Sequence, residues 1–218
     1  MLFRSPNVKR TPLGNLFGTT IAGGGYIVGT NANVAKTEAS GIDFQADYRL
    51  PLEDVGAQGW GSLSFHFVGT YQLKSSTQTL VGQPTYDCSG LFGPTCQTVD
   101  PTWRHNLRVS WNTPWNILAS LQWRYIGGSS LDSNSTQAGL NSPPFDHINA
   151  TLPAVSYLDL SGAWRINQTL TLRAGVNNIL DTDPPVISEL ISGTGSPNTY
   201  PTYDLLGRQI FVSATAKF

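Results

Sequence analysis

The sequence has little charge and no long apolar run, and each shortage excludes a class of protein. Only 12% of its 218 residues are charged, whereas a soluble domain usually has roughly 25%. The 13 basic and 14 acidic residues give a net charge of −1 and form no basic stripe, which argues against a nucleic-acid partner. No segment approaches the roughly 18 consecutive apolar residues of a membrane-spanning helix, so a membrane location would require a barrel.

Motifs for catalysis and metal binding are also missing. The three histidines are far apart, no HExxH or CxxC spacing occurs, and no Gly-x-Ser-x-Gly element marks a nucleophile. The sequence therefore predicts neither an enzyme nor a cofactor. The start, MLFRSPNVKRTPLG, lacks the pattern of a secretory signal. Residues 1–23 show no clear period and are expected to form a loop or a frayed earlier strand.

Only two cysteines are present, Cys88 and Cys96, in the segment DCSGLFGPTC. Their spacing, with Gly and Pro between them, suits a small loop closed by a disulfide and therefore an oxidising compartment. Two free thiols in a cytosolic loop are the alternative.

What the sequence does contain is a recurring alternation of apolar and polar residues, which indicates β-strands. In GSLSFHFVGTYQLK, the apolar side chains from Leu63 to Leu73 fall on one face and the polar ones from Ser64 to Lys74 on the other. Such a strand is much longer than the usual length of about 5 to 6 residues. The same pattern predicts strands in SGIDFQADYRL, WRHNLRVSWN, NILASLQWRYIGG, YLDLSGAWRI, LTLRAGVNN and GRQIFVSATAKF, and a weaker one in YIVGTNANV.

The connections between these strands alternate in length. The segments PLEDVGAQG, NTPWN and INQT are short, whereas residues 75–102, 129–154 and 181–206 are long. Connections as long as these three are unusual inside compact soluble domains. Short turns at one end and long loops at the other are typical of an outer-membrane barrel.

Three further observations favour a barrel with its apolar side chains facing lipid. The strands average about ten residues, enough to cross a bilayer at a tilt. Their polar face holds Ser, Thr, Asn and Gln with isolated charges, not the many Lys and Glu of a wetted surface. Their apolar face is uncharged, and a Lys or Arg there would cost about 2–4 kcal/mol at mid-depth. We therefore predict an antiparallel transmembrane β-barrel segment of about eight strands, with a soluble sandwich around an aromatic core as the alternative.

Aromatic residues are expected at both membrane interfaces, where amphipathic rings are favoured. Near the short turns these are Trp60, Trp115 and Trp164, and near the long loops Tyr71, Trp103 and Tyr125.

Three segments resemble the C-terminal part of TonB-dependent outer-membrane receptors: TEASGIDFQADYRLPL, VNNILDTDPPV and YDLLGRQIFVSATAKF. Another segment, DCSGLFGPTC followed by PTWRHNLRVSWNTPW, is similar to the subset of those receptors that have a disulfide in an outer loop. The resemblance covers about residues 24–218 and departs from the family at Ala216, where an aromatic residue is common. It implies a plugged barrel of about 22 strands in the outer membrane of a Gram-negative bacterium, coupled to the TonB complex.

On this resemblance, residues 1–218 are expected to supply the last eight strands, without the plug domain or a signal peptide. The implied function is energised uptake of a siderophore, vitamin or oligosaccharide. Phe218 is expected to end the closing strand at the membrane interface and to serve as the signal for the barrel-assembly machinery. Alternatives are a self-contained eight-stranded barrel with a structural or adhesive role and a soluble lectin-like protein.

Charged residues on the polar face are the candidate contacts for ligand or plug. Mutual pairing across neighbouring strands explains each of them equally well. They are Arg104, Arg108, Arg124, Asp159 and Arg173.

Overall fold

The computed structural model describes residues 36–192 and 198–217, together with the short strands Val8–Lys9 and Tyr26–Ile27. The chain divides into two compact units, Met1–Ala35 and Lys36–Phe218. In the first unit, Val8–Lys9 pairs antiparallel with Tyr26–Ile27. Within residues 1–23, which were expected to form a loop or a frayed earlier strand, the described part is this two-residue strand, and most of the predicted strand YIVGTNANV lies outside the described residues.

Seven long strands of the second unit form one sheet in which each strand lies beside its neighbours in sequence. Every pairing between them is antiparallel. The two-residue strand Tyr86–Asp87 pairs with the second of them and brings the sheet to eight strands, which confirms the predicted antiparallel sheet. The long strands are β1 Lys36–Pro51, β2 Ser62–Gln78, β3 Trp103–Asn112, β4 Ile117–Ile126, β5 Val155–Arg165, β6 Leu170–Asn177 and β7 Gln209–Ala216.

The alternation of short and long connections is confirmed. The short ones are residues 52–61, 113–116 and 166–169, and the long ones are 79–102, 127–154 and 178–208. Local chemistry closes the short turns. The 3-10 helix Leu52–Val55 ends at Gly56, whose φ of 87° favours glycine, and the Asn167 carboxamide accepts the N–H groups of Thr169 and Leu170 at 2.9 and 2.7 Å.

The described parts of the three long connections pack together, and we call residues 79–102, 127–154, 178–192 and 198–208 the loop module. A small sheet joins two of them, because Leu91–Phe92 runs parallel to Ser129–Leu131, which also pairs with Thr151–Leu152. The module also contains the 3-10 helix Asp132–Asn134 and the α-helix Glu189–Ser192. Its buried apolar core reaches the start of β5 and comprises Phe92, Val99, Leu131, Leu152, Val155, Tyr157, Ile187, Tyr200 and Tyr203.

The apolar face of the sheet is exposed, in contrast to the loop module. Tyr48 on β1 and Ile210 and Val212 on β7 are 61%, 76% and 76% exposed. No described part of the second unit covers these side chains, as a soluble sandwich with an aromatic core would require. Among the described residues, no helix is both long enough and apolar enough to cross a membrane.

The sheet is open within the described residues. β1 pairs only with β2, and β7 pairs only with β6. A self-contained small barrel would need YIVGTNANV to pair with the last strand, and the described part of that segment pairs with Val8–Lys9 instead.

Candidate functional site

The polar face of the sheet is held together by hydrogen bonds between neighbouring strands. The Thr70 hydroxyl on β2 donates to the Asp43 carboxylate on β1 at 2.8 Å. On β3 and β4, the hydroxyl oxygens of Ser110 and Ser120 lie 2.8 Å apart. Such cross-strand pairs satisfy polar groups that face the interior of a barrel.

Arg124 is the centre of a charged cluster on this face that joins two carboxylates. Its guanidinium donates to both oxygens of Asp159 on β5, at 2.7 and 3.0 Å. It also donates to both oxygens of Asp204, at 2.9 and 2.5 Å. Because Asp204 belongs to the connection between β6 and β7, one side chain joins the wall of the sheet to the loop module. Two bidentate contacts of this kind fix orientation as well as position.

Tyr157 contacts both Arg124 and Asp204 in this cluster. Its ring centroid lies 4.9 Å from the Arg124 guanidinium carbon, within range of a cation–π contact. Its hydroxyl accepts the backbone N–H of Asp204 at 3.2 Å. The ring is fully buried, so the loop is fastened to strand β5 through both the side chain and the backbone of Asp204.

A cleft of about 680 Å³ opens beside this cluster on the polar face. Arg108 lines it and donates from its Nε to the Gln122 carboxamide oxygen at 3.0 Å. Leu205, Leu206 and Phe211 supply an apolar side of the cleft. The structure thus brings three of the five charged candidates together: Arg108, Arg124 and Asp159.

The other two charged candidates lie elsewhere. Arg104 is at the outer end of β3, opposite Thr70, and does not line the cleft. Arg173 lines a second cleft of about 760 Å³ next to the short turns, together with Arg165 and Lys217.

The segment VNNILDTDPPV fixes the base of the last long connection. Asn178 is fully buried, and its backbone N–H donates to Asp159 at 2.8 Å. Its carboxamide also bonds both the N–H and the carbonyl of Thr182 at 2.9 Å. Asp181 accepts the backbone N–H of Arg208 at 2.8 Å, so both ends of this connection are tied together.

The predicted aromatic residues near the short turns lie close together. The rings of Trp60 and Trp115 lie 5.7 Å apart, and Trp111 is 6.1 and 6.2 Å from them. The Trp111 indole also donates to the Trp60 carbonyl at 2.8 Å. Trp164 lies near the end of β5, opposite Ile117. These positions suit the proposed interfacial role.

Two of the three predicted aromatic residues at the opposite end, Trp103 and Tyr125, contact His105, and Tyr71 lies opposite Trp103 in the strand register. The Trp103 indole donates to His105 Nδ1 at 2.9 Å, and the Tyr125 ring stacks on the imidazole at 5.1 Å. Gly69 leaves the room for this arrangement, because a Cβ there would lie 2.6 Å from the Trp103 ring.

The two cysteines form the predicted disulfide, and no described cysteine is free. The disulfide loop is fixed to Asp132, whose carboxylate is fully buried and accepts the N–H groups of Thr95 and Cys96, both at 2.8 Å. A cross-link and a buried carboxylate therefore hold the same short loop.

Removing the disulfide is expected to loosen the loop module. Replacing both Cys88 and Cys96 with Ala should cost this module about 2–3 kcal/mol, since the cross-link restricts the unfolded loop. Chymotrypsin should then cleave faster near Tyr86 and Phe92, which are buried in the native loops. Heat-modifiable gel migration, which reports on the sheet, serves as the control. Equal cleavage of both proteins would contradict the prediction.

Candidate metal ligands in the described part of the chain are scattered. Its His, Cys, Asp and Glu side chains form no group of three or more that could hold a metal ion.

One comparison with known proteins shows the family, and another shows a shared fold. A family model described as TonB dependent receptor-like, beta-barrel matches residues 9–179. Among solved structures, a glycine-to-valine mutant of the ferric enterobactin receptor PfeA from Pseudomonas aeruginosa is 19% identical, with a TM-score of 0.53, over 84% of this chain and 22% of that chain. PfeA in complex with BCV-L6 is 19% identical, with a TM-score of 0.51, over 83% and 23%.

These structural matches show a shared fold, and the chain spans about 22% of the length of the first PfeA chain. A search of curated proteins found no significant match. The family match covers most of the sequence and agrees with the antiparallel sheet, its alternating connections and its polar inner face. The chain therefore belongs to the TonB-dependent receptor β-barrel family, whose members are non-enzymatic transport proteins of the Gram-negative outer membrane.

Proposed function

We propose that this chain forms the C-terminal part of the barrel wall, and its outer loops, in a receptor for energised uptake of a nutrient. The observation that carries the proposal is the cleft between Arg108 and Leu206, which opens on the polar face beside the loop module. A solute that arrives at the outer loops would meet this cleft on entering the lumen. Arg108 and Gln122 offer it hydrogen-bond donors, and Leu205 and Phe211 offer apolar contacts.

The two faces of the sheet suggest the partners. Outer-membrane lipid would cover the apolar face, where Ile210 and Val212 are exposed. A plug domain would occupy the lumen on the polar face, and the TonB complex would act on that plug. The barrel-assembly machinery would recognise the closing strand through Phe218, which lies outside the described residues.

A ferric siderophore is the first substrate to test, because the similar solved structures are ferric enterobactin receptors. Uptake of radiolabelled ferric siderophore should be measured in cells that express the full receptor containing this chain. We expect uptake that disappears when TonB is deleted, and none in cells that express only residues 1–218. Uptake that persists without TonB would contradict the proposal. Vitamin and oligosaccharide uptake, measured in the same way, would identify a different nutrient.

A further inference from the structure

Among the described residues, three cations of the polar face lie beside the short turns and line a cleft that has no acidic side chain. Arg165, Arg173 and Lys217, which we call the basic patch, line the cleft of about 760 Å³. The other residues that line it include Asn112, Thr171 and Thr215, and none of them is acidic. Among the described residues, no carboxylate forms an ion pair with these three cations. Arg124, by contrast, binds two carboxylates on the same face.

Strand register fixes the arrangement of the patch. Arg165 on β5 is opposite Thr171 on β6, and Arg173 is two residues further along β6. The two arginines are therefore diagonal neighbours on one face, with Cα atoms about 7–8 Å apart. Lys217 lies just beyond β7, two residues after Thr215, which is opposite Thr171. The cations thus extend across three adjacent strands.

Like charges on neighbouring strands destabilise one another unless a counter-charge lies between them. Water and dissolved salt would screen the repulsion between these cations. A barrel lumen that holds another domain contains less solvent, so the screening there is weaker. An arginine fork also has a geometry that suits carboxylates. Together, the missing counter-charge and the enclosed face favour an anionic partner that is not among the described residues.

We propose that the basic patch docks an acidic segment of polypeptide through its carboxylate side chains. Alternate residues of an extended chain are about 6.6 Å apart on one face, close to the diagonal spacing of the two arginines. A segment with alternating acidic residues can therefore contact both arginines and still reach Lys217. The inference rests on the proposed function in one respect, namely that this face lines an occupied lumen.

A binding experiment on the full chain in detergent micelles tests the docking directly. The probe is a fluorescently labelled hexaglutamate peptide, with hexaglutamine as the uncharged control and inorganic phosphate as the competitor. We expect saturable hexaglutamate binding that weakens as salt is added. Replacing Arg165 and Arg173 with Gln should weaken it about five- to thirtyfold, since each exposed pair contributes modestly.

A matched variant tests whether position or only net charge matters. Replacing Lys36 and Arg49 with Gln removes the same charge from β1 and should leave peptide affinity unchanged. An Arg165→Lys, Arg173→Lys variant keeps the charges and should retain most of the binding. Equal weakening in the two Gln variants, or competition by phosphate as strong as that by unlabelled peptide, would overturn the proposal.

The outcomes also separate this inference from the proposed function. If hexaglutamate does not bind but the full receptor still shows TonB-dependent uptake, only the docking surface is refuted. If the peptide binds as described but uptake does not depend on TonB, the proposed function fails and the docking surface stands.

Discussion

Replacing Arg124 with Met is expected to detach the last long connection from the barrel wall. The substitution leaves Asp159 and Asp204 without their shared cation, and removing one partner from a buried ion pair costs about 3–5 kcal/mol. The side chains of Arg124, Asp159 and Asp204 are 26%, 15% and 24% exposed, so we expect about 2–3 kcal/mol. Hydrogen exchange of the amides in residues 198–208 should rise accordingly.

Two variants make this test specific to the ion pairs. Arg104→Met removes an arginine from the same face, and Arg104 forms no ion pair with a described residue, so exchange in the loop should stay at its original level. Arg124→Lys keeps the charge but loses the two-sided fork and should give an intermediate effect. Unchanged exchange in Arg124→Met would show that the ion pairs do not hold the loop in place.

Replacing Gly93 with Ala is expected to disrupt the loop module even more. Gly93 has a φ of 142°, which L side chains rarely adopt, and its added Cβ would overlap with the buried Asp132 carboxylate. Backbone strain costs about 1–3 kcal/mol, and overpacking a well-filled interior costs about as much again. Disruption of the Asp132 contacts should expose the module to chymotrypsin, while the sheet keeps its heat-modifiable gel migration.

Gly82 provides the matched control for this substitution. It lies in the same connection, and its φ of 86° also favours glycine, but nothing lies within 4 Å of an added Cβ. Gly82→Ala should therefore cost about 1 kcal/mol, from the backbone alone. If both variants are cleaved at the same rate, the contact with Asp132 is not what makes Gly93 necessary.

The sheet could be predicted from sequence because its rules are local. Alternation assigns each side chain to a face, so the aromatic positions Trp103 and Tyr125 and the polar positions Arg108 and Asp159 could be located without a structure. Tight turns such as the one around Asn167 use short-range hydrogen bonds that the sequence also reveals. Membership of the sheet and the direction of each strand follow from these two local signals.

The partners of those side chains could not be predicted in the same way. Arg124 binds Asp204, which is 80 residues further along the chain, and no periodic pattern connects them. Asp132 bonds Thr95 and Cys96 only because two long connections pack together. Loop contacts of this kind depend on tertiary packing, which carries no repeating signal. Sequence reasoning therefore identified Arg108, Arg124 and Asp159 on the polar face. It missed Asp204 and Tyr157, which contact Arg124.

The position of the buried core has a consequence for how the chain responds to its surroundings. The buried apolar side chains belong to the loop module and the start of β5, whereas the apolar face of the sheet stays uncovered. Water therefore drives the folding of one part, and a bilayer is the medium in which the other part is stable. The stability of the loop module and that of the sheet therefore depend on different solvents. A denaturant that acts on aqueous hydrophobic burial can loosen the loop module while the sheet stays intact.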